Sequence, residues 1–157
     1  MQGTMNDLSH SDLQWDGWRQ VEKTITFAGG TTNAIGDHDG TNDPFDIFTL
    51  TGDVKVKLMA VCTTSLTGDS ATLEVGVTGS TASLIALTTA TDITAGDVWH
   101  DNAPDAPIEL SSVVKEYIIA NGNDIIGTVK TANITAGVIR FVVMWKPIDR
   151  TGLVVAA

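Results

Sequence analysis

The chain has 157 residues, 43% of them hydrophobic and 18% charged, which suits one domain with a sizeable core. Nine Lys and Arg stand against nineteen Asp and Glu, a formal charge of −10; such a surface repels nucleic acid and anionic membranes, because phosphate binding needs clustered Lys and Arg. Cys62 is the single cysteine, which excludes an internal disulfide framework and a cysteine-based zinc site. No apolar run approaches the ~20 residues of a membrane helix, and no basic segment followed by an apolar one marks a signal peptide.

Residues 1–20 read as a polar N-terminal arm carrying Trp15 and Trp18. Two tryptophans three apart share one face of a short helix or anchor an extended arm, on the same subunit or on a partner. Residues 21–147 read as the folded domain. Its first strand is expected over Glu22–Phe27 and is ended by Gly29-Gly30. Thr31–Pro44 is a loop, in which Asp37, Asp39, Asn42 and Asp43 supply oxygen atoms at a spacing loosely like a calcium loop. Strands flank it and no Glu closes it, and Asp, Gly and Asn are also what a turn requires.

The stretch FDIFTLTGDVKVKLMAVCT, Phe45–Thr63, organises the rest. Two apolar runs meet at Thr51-Gly52-Asp53, a turn signal, so they are expected to pair as a hairpin. After the turn Val54, Val56, Leu58, Ala60 and Cys62 alternate with Lys55 and Lys57, the pattern of a half-buried strand. Cys62 therefore reads as a small core residue. Met59 and Val61 make the second face apolar too, so a loop or neighbouring subunit is expected above it.

Further strands are expected at Ala71–Thr78, Ala82–Leu87, Asp97–His100, Lys115–Ala120, Ile125–Lys130 and Gly137–Lys146. Asn121-Gly122 is a hairpin signal between the fourth and fifth of these. Asp101–Pro107 is a breaker, because its prolines remove backbone donors. Phe27, Phe141 and Trp145 read as core. Residues 148–157 form a tail, apolar at Leu153, Val154 and Val155, expected to dock on the domain or on a neighbour. Roughly eight to ten short strands, long connections and no amphipathic helix predict an all-β, antiparallel β-sandwich, jelly-roll-like or Greek key, with arms at both ends.

Chemistry is sparse. There is no nucleophile elbow, no HExxH and no phosphate loop. Glu22, Glu74, Glu109 and Glu116 are isolated in sequence. The three histidines are His10, His38 and His100. His100, between Trp99 and Asp101, is the most chemical-looking, and it reads as a strand end whose imidazole bonds a loop. No residue is assigned a catalytic, cofactor or metal role, and the protein is not expected to be an enzyme.

The phrases FTLTGDVKVK (48–57), ATLEVGVTG (71–79), LIALTTATDITAG (84–96) and ITAGVIRF (134–141) resemble small β-rich virion proteins of tailed bacteriophages. The resemblance covers about Phe45–Pro147 and is one of texture, with no catalytic signature. It implies a structural component of a virion, made in the host cytoplasm. It would be a homo-oligomer, trimeric by expectation, that decorates and stabilises a capsid shell by binding the major capsid or another virion protein. Trp15, Trp18, Leu153, Val154 and Val155 are the interface candidates. The alternative expectation is a tail, neck or fibre component, or a receptor- or glycan-binding module.

Overall fold

In the computed structural model, residues 17–157 apart from Asn42 are described. Ten strands occur among them: β1 (Arg19–Thr26), β2 (Phe45–Thr51), β3 (Val54–Thr67), β4 (Thr72–Val77), β5 (Ser80–Thr89), β6 (Val98–Trp99), β7 (Glu116–Ile119), β8 (Ile125–Lys130), β9 (Ala136–Pro147) and β10 (Leu153–Ala156). Two short 3-10 turns, Ala90–Asp92 and Ser111–Val113, lie in the connections on either side of β6. The strands form two antiparallel sheets that pack face to face. One runs β1-β9-β3, with β6 and β7 sharing the far edge of β3; the other runs β10-β2-β8-β4-β5. Without β10, that order is the double Greek key of a jelly roll.

The alternation in the sequence sets the inner layer. Along β3, Val54, Val56, Leu58, Ala60 and Cys62 are buried, while Lys55, Lys57, Met59 and Val61 are only half-buried. β9 lies beside it, with Val56 opposite Trp145, Leu58 opposite Val143 and Ala60 opposite Phe141. β2 departs from alternation, because Ile47 and Phe48 are both fully buried. A register shift between Asp46 and Phe48 against β8 inserts Ile47 as an extra residue, and such a bulge turns two successive side chains toward the core. Phe27 meets Phe45 edge-on at 5.7 Å, and Trp99 meets Phe141 at 6.2 Å.

Two expected hairpins are not hairpins. β2 and β3 lie in different sheets, and so do β7 and β8. Gly52 (φ 64°), Asn121 (φ 60°) and Gly122 (φ 63°) do take the left-handed turn conformation their residue types favour, but the turns cross from sheet to sheet. Their backbone groups are satisfied by one another: Gly122 N–H donates to the Gly52 carbonyl at 2.9 Å, and Asn121 N–H to Asp53 Oδ1 at 2.9 Å. The crossing from β9 to β10 joins them, with Ile148 N–H on the Asp53 carbonyl at 2.9 Å. Three inter-sheet crossings are thus tied together at one end of the sandwich. The turn at Gly79 does make a hairpin, pairing β4 with β5.

The C-terminal tail, expected to dock on the domain or on a neighbour, docks on the domain. Residues 148–157 do not project as an arm. They turn at Asp149–Gly152 and add β10 to the free edge of β2, Leu153 opposite Thr51 through Ala156 opposite Phe48. The unpaired edge of β2 accepts that strand, and Val154 is drawn into the core at 3% exposure. At the other terminus, Arg19 and Gln20 already belong to β1, paired with Trp145 and Met144.

Candidate functional site

Among the described residues, two groups of side chains hold a histidine against carboxylates, His38 with Asp39 and Asp43, and His100 with Asp101 and Asp105. The first lies in the β1–β2 loop. His38 Nε2 is 3.1 Å from Asp39 Oδ2, and Nδ1 is 3.6 Å from Asp43 Oδ2 and 3.3 Å from the Val129 carbonyl. Asp43 spends Oδ1 on Val129 N–H at 2.9 Å and Oδ2 on Asp39 N–H at 3.1 Å. Both of its oxygens therefore already hold the turn, and the loop's acidic composition is accounted for by loop geometry. Asn42, one of the oxygen donors singled out in this loop, lies outside the described residues.

The second group is on the open flank of the sandwich, where the edge strand β5 of one sheet faces β6 and β7 of the other. Trp99 is fully buried there, and its Nε1 donates to Thr88 Oγ1 at 2.9 Å. Thr88 Oγ1 in turn donates to the Ala86 carbonyl at 2.8 Å. That anchor fixes the next residue, His100, whose side chain is only 7% exposed. The 101–109 connection then folds back over it. Pro104 and Pro107 hold this stretch extended, and Val98 and Asp105 exchange backbone hydrogen bonds at 3.0 and 2.9 Å. Asp105 Oδ2 is thereby placed 3.5 Å, and Glu109 Oε2 3.3 Å, from His100 Nε2. Asp101 Oδ2 stands 3.9 Å from Nδ1, on the other side of the ring. A mutual hydrogen bond between Asp105 and Glu109 is the main reason Asp105 is held above, and Glu109 below, the ordinary carboxylate range. His100 and Asp101 also line a cleft of about 310 Å³ with Ser83, Ala86, Lys115 and Tyr117.

A third feature is apolar. On the outer face of the first sheet, Met59, Val142, Met144 and Val114 line a groove of about 360 Å³. On that face the connection 107–114 borders a second cavity of about 330 Å³, which Ile108, Leu110 and Val114 line together with Met59. The connection itself is exposed: Ile108 is 84% and Leu110 69% accessible, and Ile118 on the adjoining β7 is 70% accessible.

The described interface candidates lie on different sheets. Trp15 lies outside the described residues. Trp18 is half-buried on its own sheet, with the ammonium groups of Lys57 and Lys146 at 5.3 and 5.0 Å from its ring, a cation–π arrangement. Leu153 and Val155 are exposed on β10 of the other sheet, and Val154 between them is core. Sequence reasoning missed Asp105, Glu109 and the exposed isoleucines and leucine of 108–118. The spacing His-Asp-x3-Asp-x3-Glu was the available signal, and it is too short to be specific. Cys62, expected in the core, is there at 1% exposure, with burial pushing its thiol up. No family model matches this chain, and neither the curated proteins nor the solved structures compared with it contain a match.

Proposed function

We propose that this protein is a non-enzymatic structural component of a bacteriophage virion, a decoration protein that binds and stabilises the capsid shell. The observation that carries the reading is the exposed apolar pair Ile108 and Leu110, on the connection that lines a cavity with Met59 next to the Met59–Met144 groove. Large apolar side chains scattered singly are ordinary on a surface, but several gathered beside an apolar groove mark an attachment face. The jelly-roll order of the strands supports it, since that architecture recurs in particle-building proteins. The resemblance of its short sequence phrases to small phage virion proteins points the same way. The charge of −10 favours a protein partner over nucleic acid. The partner is a shell surface of complementary apolar character, the major capsid protein, with copies of the chain joined as a closed trimer.

The test is sedimentation of purified virions from the phage that encodes the chain, with the protein then stripped and added back to the shells. The chain is expected in the particle fraction, on the head, and as a trimer in light scattering. Ile108→Ser/Leu110→Ser is expected to abolish rebinding while leaving the circular dichroism spectrum unchanged. A wild-type chain that stays at the top of the gradient as a monomer overturns the proposal. Labelling on the tail or neck instead of the head moves it to another virion position.

A further inference from the structure

We propose that His100, Asp105 and Glu109 form a binding site for one divalent transition-metal ion of the zinc type, on the open flank between β5 and β6. The inference goes beyond the structural role above and does not depend on it. It stands on three observations. First, one imidazole faces three carboxylates. A structural ion pair needs one acid per cation, whereas here three acids surround one imidazole, two of them close enough to share a hydrogen bond. The cluster is built to attract more positive charge than the chain itself places there.

Second, the spacing is that of ligands. His100 Nε2 is 3.3 Å from Glu109 Oε2 and 3.5 Å from Asp105 Oδ2. An N–H···O hydrogen bond prefers about 2.9 Å, and these distances lie beyond its usual range of about 2.7–3.2 Å. A tetrahedral zinc site with bonds of about 2.0–2.1 Å has neighbouring ligand atoms about 3.3 Å apart. Third, two of the acids, Glu109 and Asp101, are oriented by backbone N–H groups. Glu109 Oε1 accepts from Leu110 N–H at 2.6 Å, which leaves Oε2 toward the ring. Asp101 Oδ1 accepts from Ala103 N–H at 2.8 Å, which leaves Oδ2 on the Nδ1 side. With a metal on Nε2 the ring proton would sit on Nδ1, the side that Asp101 faces at 3.9 Å.

The donor set, one nitrogen and two carboxylates, suits zinc or cobalt(II) better than calcium, which takes six to eight oxygens. The loop around His38 lacks this arrangement, because both Asp43 oxygens are occupied by backbone N–H groups.

The test uses the full chain after dialysis against a chelator. ZnCl2, CoCl2 and CaCl2 are titrated in separate calorimetry runs, with thermal melting in parallel and cobalt d–d absorption as a coordination readout. The expected result is one zinc or cobalt equivalent bound, a raised melting temperature, and a Kd at least about 100-fold weaker in Asp105→Asn/Glu109→Gln. Asp39→Asn, in the other cluster, should leave that Kd unchanged. Melting of both variants in chelator reports whether they fold. No zinc or cobalt binding by the wild type overturns the proposal, and so does binding that survives Asp105→Asn/Glu109→Gln or that is stronger for calcium.

Discussion

The hydrogen bond from Trp99 Nε1 to Thr88 Oγ1 is a side-chain tie across the open flank that can be cut from either end. Trp99 belongs to one sheet and Thr88 to the other, the indole is fully buried, and the bond is 2.9 Å long. Thr88→Val keeps the shape and leaves a buried indole N–H without an acceptor, at a cost of about 1–3 kcal/mol. Trp99→Phe removes the donor together with part of a ring packed on Phe141, and should cost about 2–4 kcal/mol through the lost bond and the cavity. In the double variant the Thr88→Val penalty largely disappears, because there is no longer a donor to orphan. The double variant is therefore expected to be more stable than the sum of the singles implies, by about 1–2 kcal/mol. Urea unfolding followed by circular dichroism measures all three, independently of the tryptophan signal that one substitution changes. Additivity within about 0.5 kcal/mol would refute the claim that this bond closes the flank.

Gly127→Ala on β8 should destabilise by about 1–3 kcal/mol, because a Cβ there would fall 2.3 Å from the Phe45 ring; an unchanged urea midpoint would show that Phe45 is free to move. Removal of residues 153–157 takes away the buried Val154 and bares the edge of β2, so the truncated protein is expected to unfold at lower urea and to self-associate with concentration in light scattering; a stable monomer would contradict the role given to β10. Asp149 is held below the ordinary carboxylate range, first by the Thr151 hydroxyl and then by backbone N–H groups of Thr151, Asp53 and Gly152. A carboxyl depressed in the folded state adds stability above its unfolded pKa of about 3.9, and that stability is lost as pH falls through the lower folded value. Asp149→Asn should therefore flatten the acid side of the stability–pH curve below about pH 5, and an unaltered slope in urea titrations at stepped pH would count against the cap.

The alternation along β3 and β9 was readable in the amino-acid order, because a pleated strand half-buried on one face writes its period of two directly into residue type. So were the turn positions, since Gly52, Asn121 and Gly122 carry a backbone demand local to those residues. What local chemistry could not decide was which strand each turn delivered its neighbour to. A turn at Gly52-Asp53 serves a hairpin or a crossing equally well; the choice fell to the packing of two sheets and to the bonds that Asp53 makes with Asn121 and Ile148, residues far along the chain. The same holds for the acid–histidine group. His100 and Asp101 stood side by side in the sequence, but Asp105 and Glu109 reach the imidazole only because Val98 and Asp105 pair and the connection folds back over a ring that Trp99 has already anchored. Periodicity is a property of one segment, whereas sheet membership and side-chain convergence are properties of pairs of segments, and only the folded chain brings those pairs into contact.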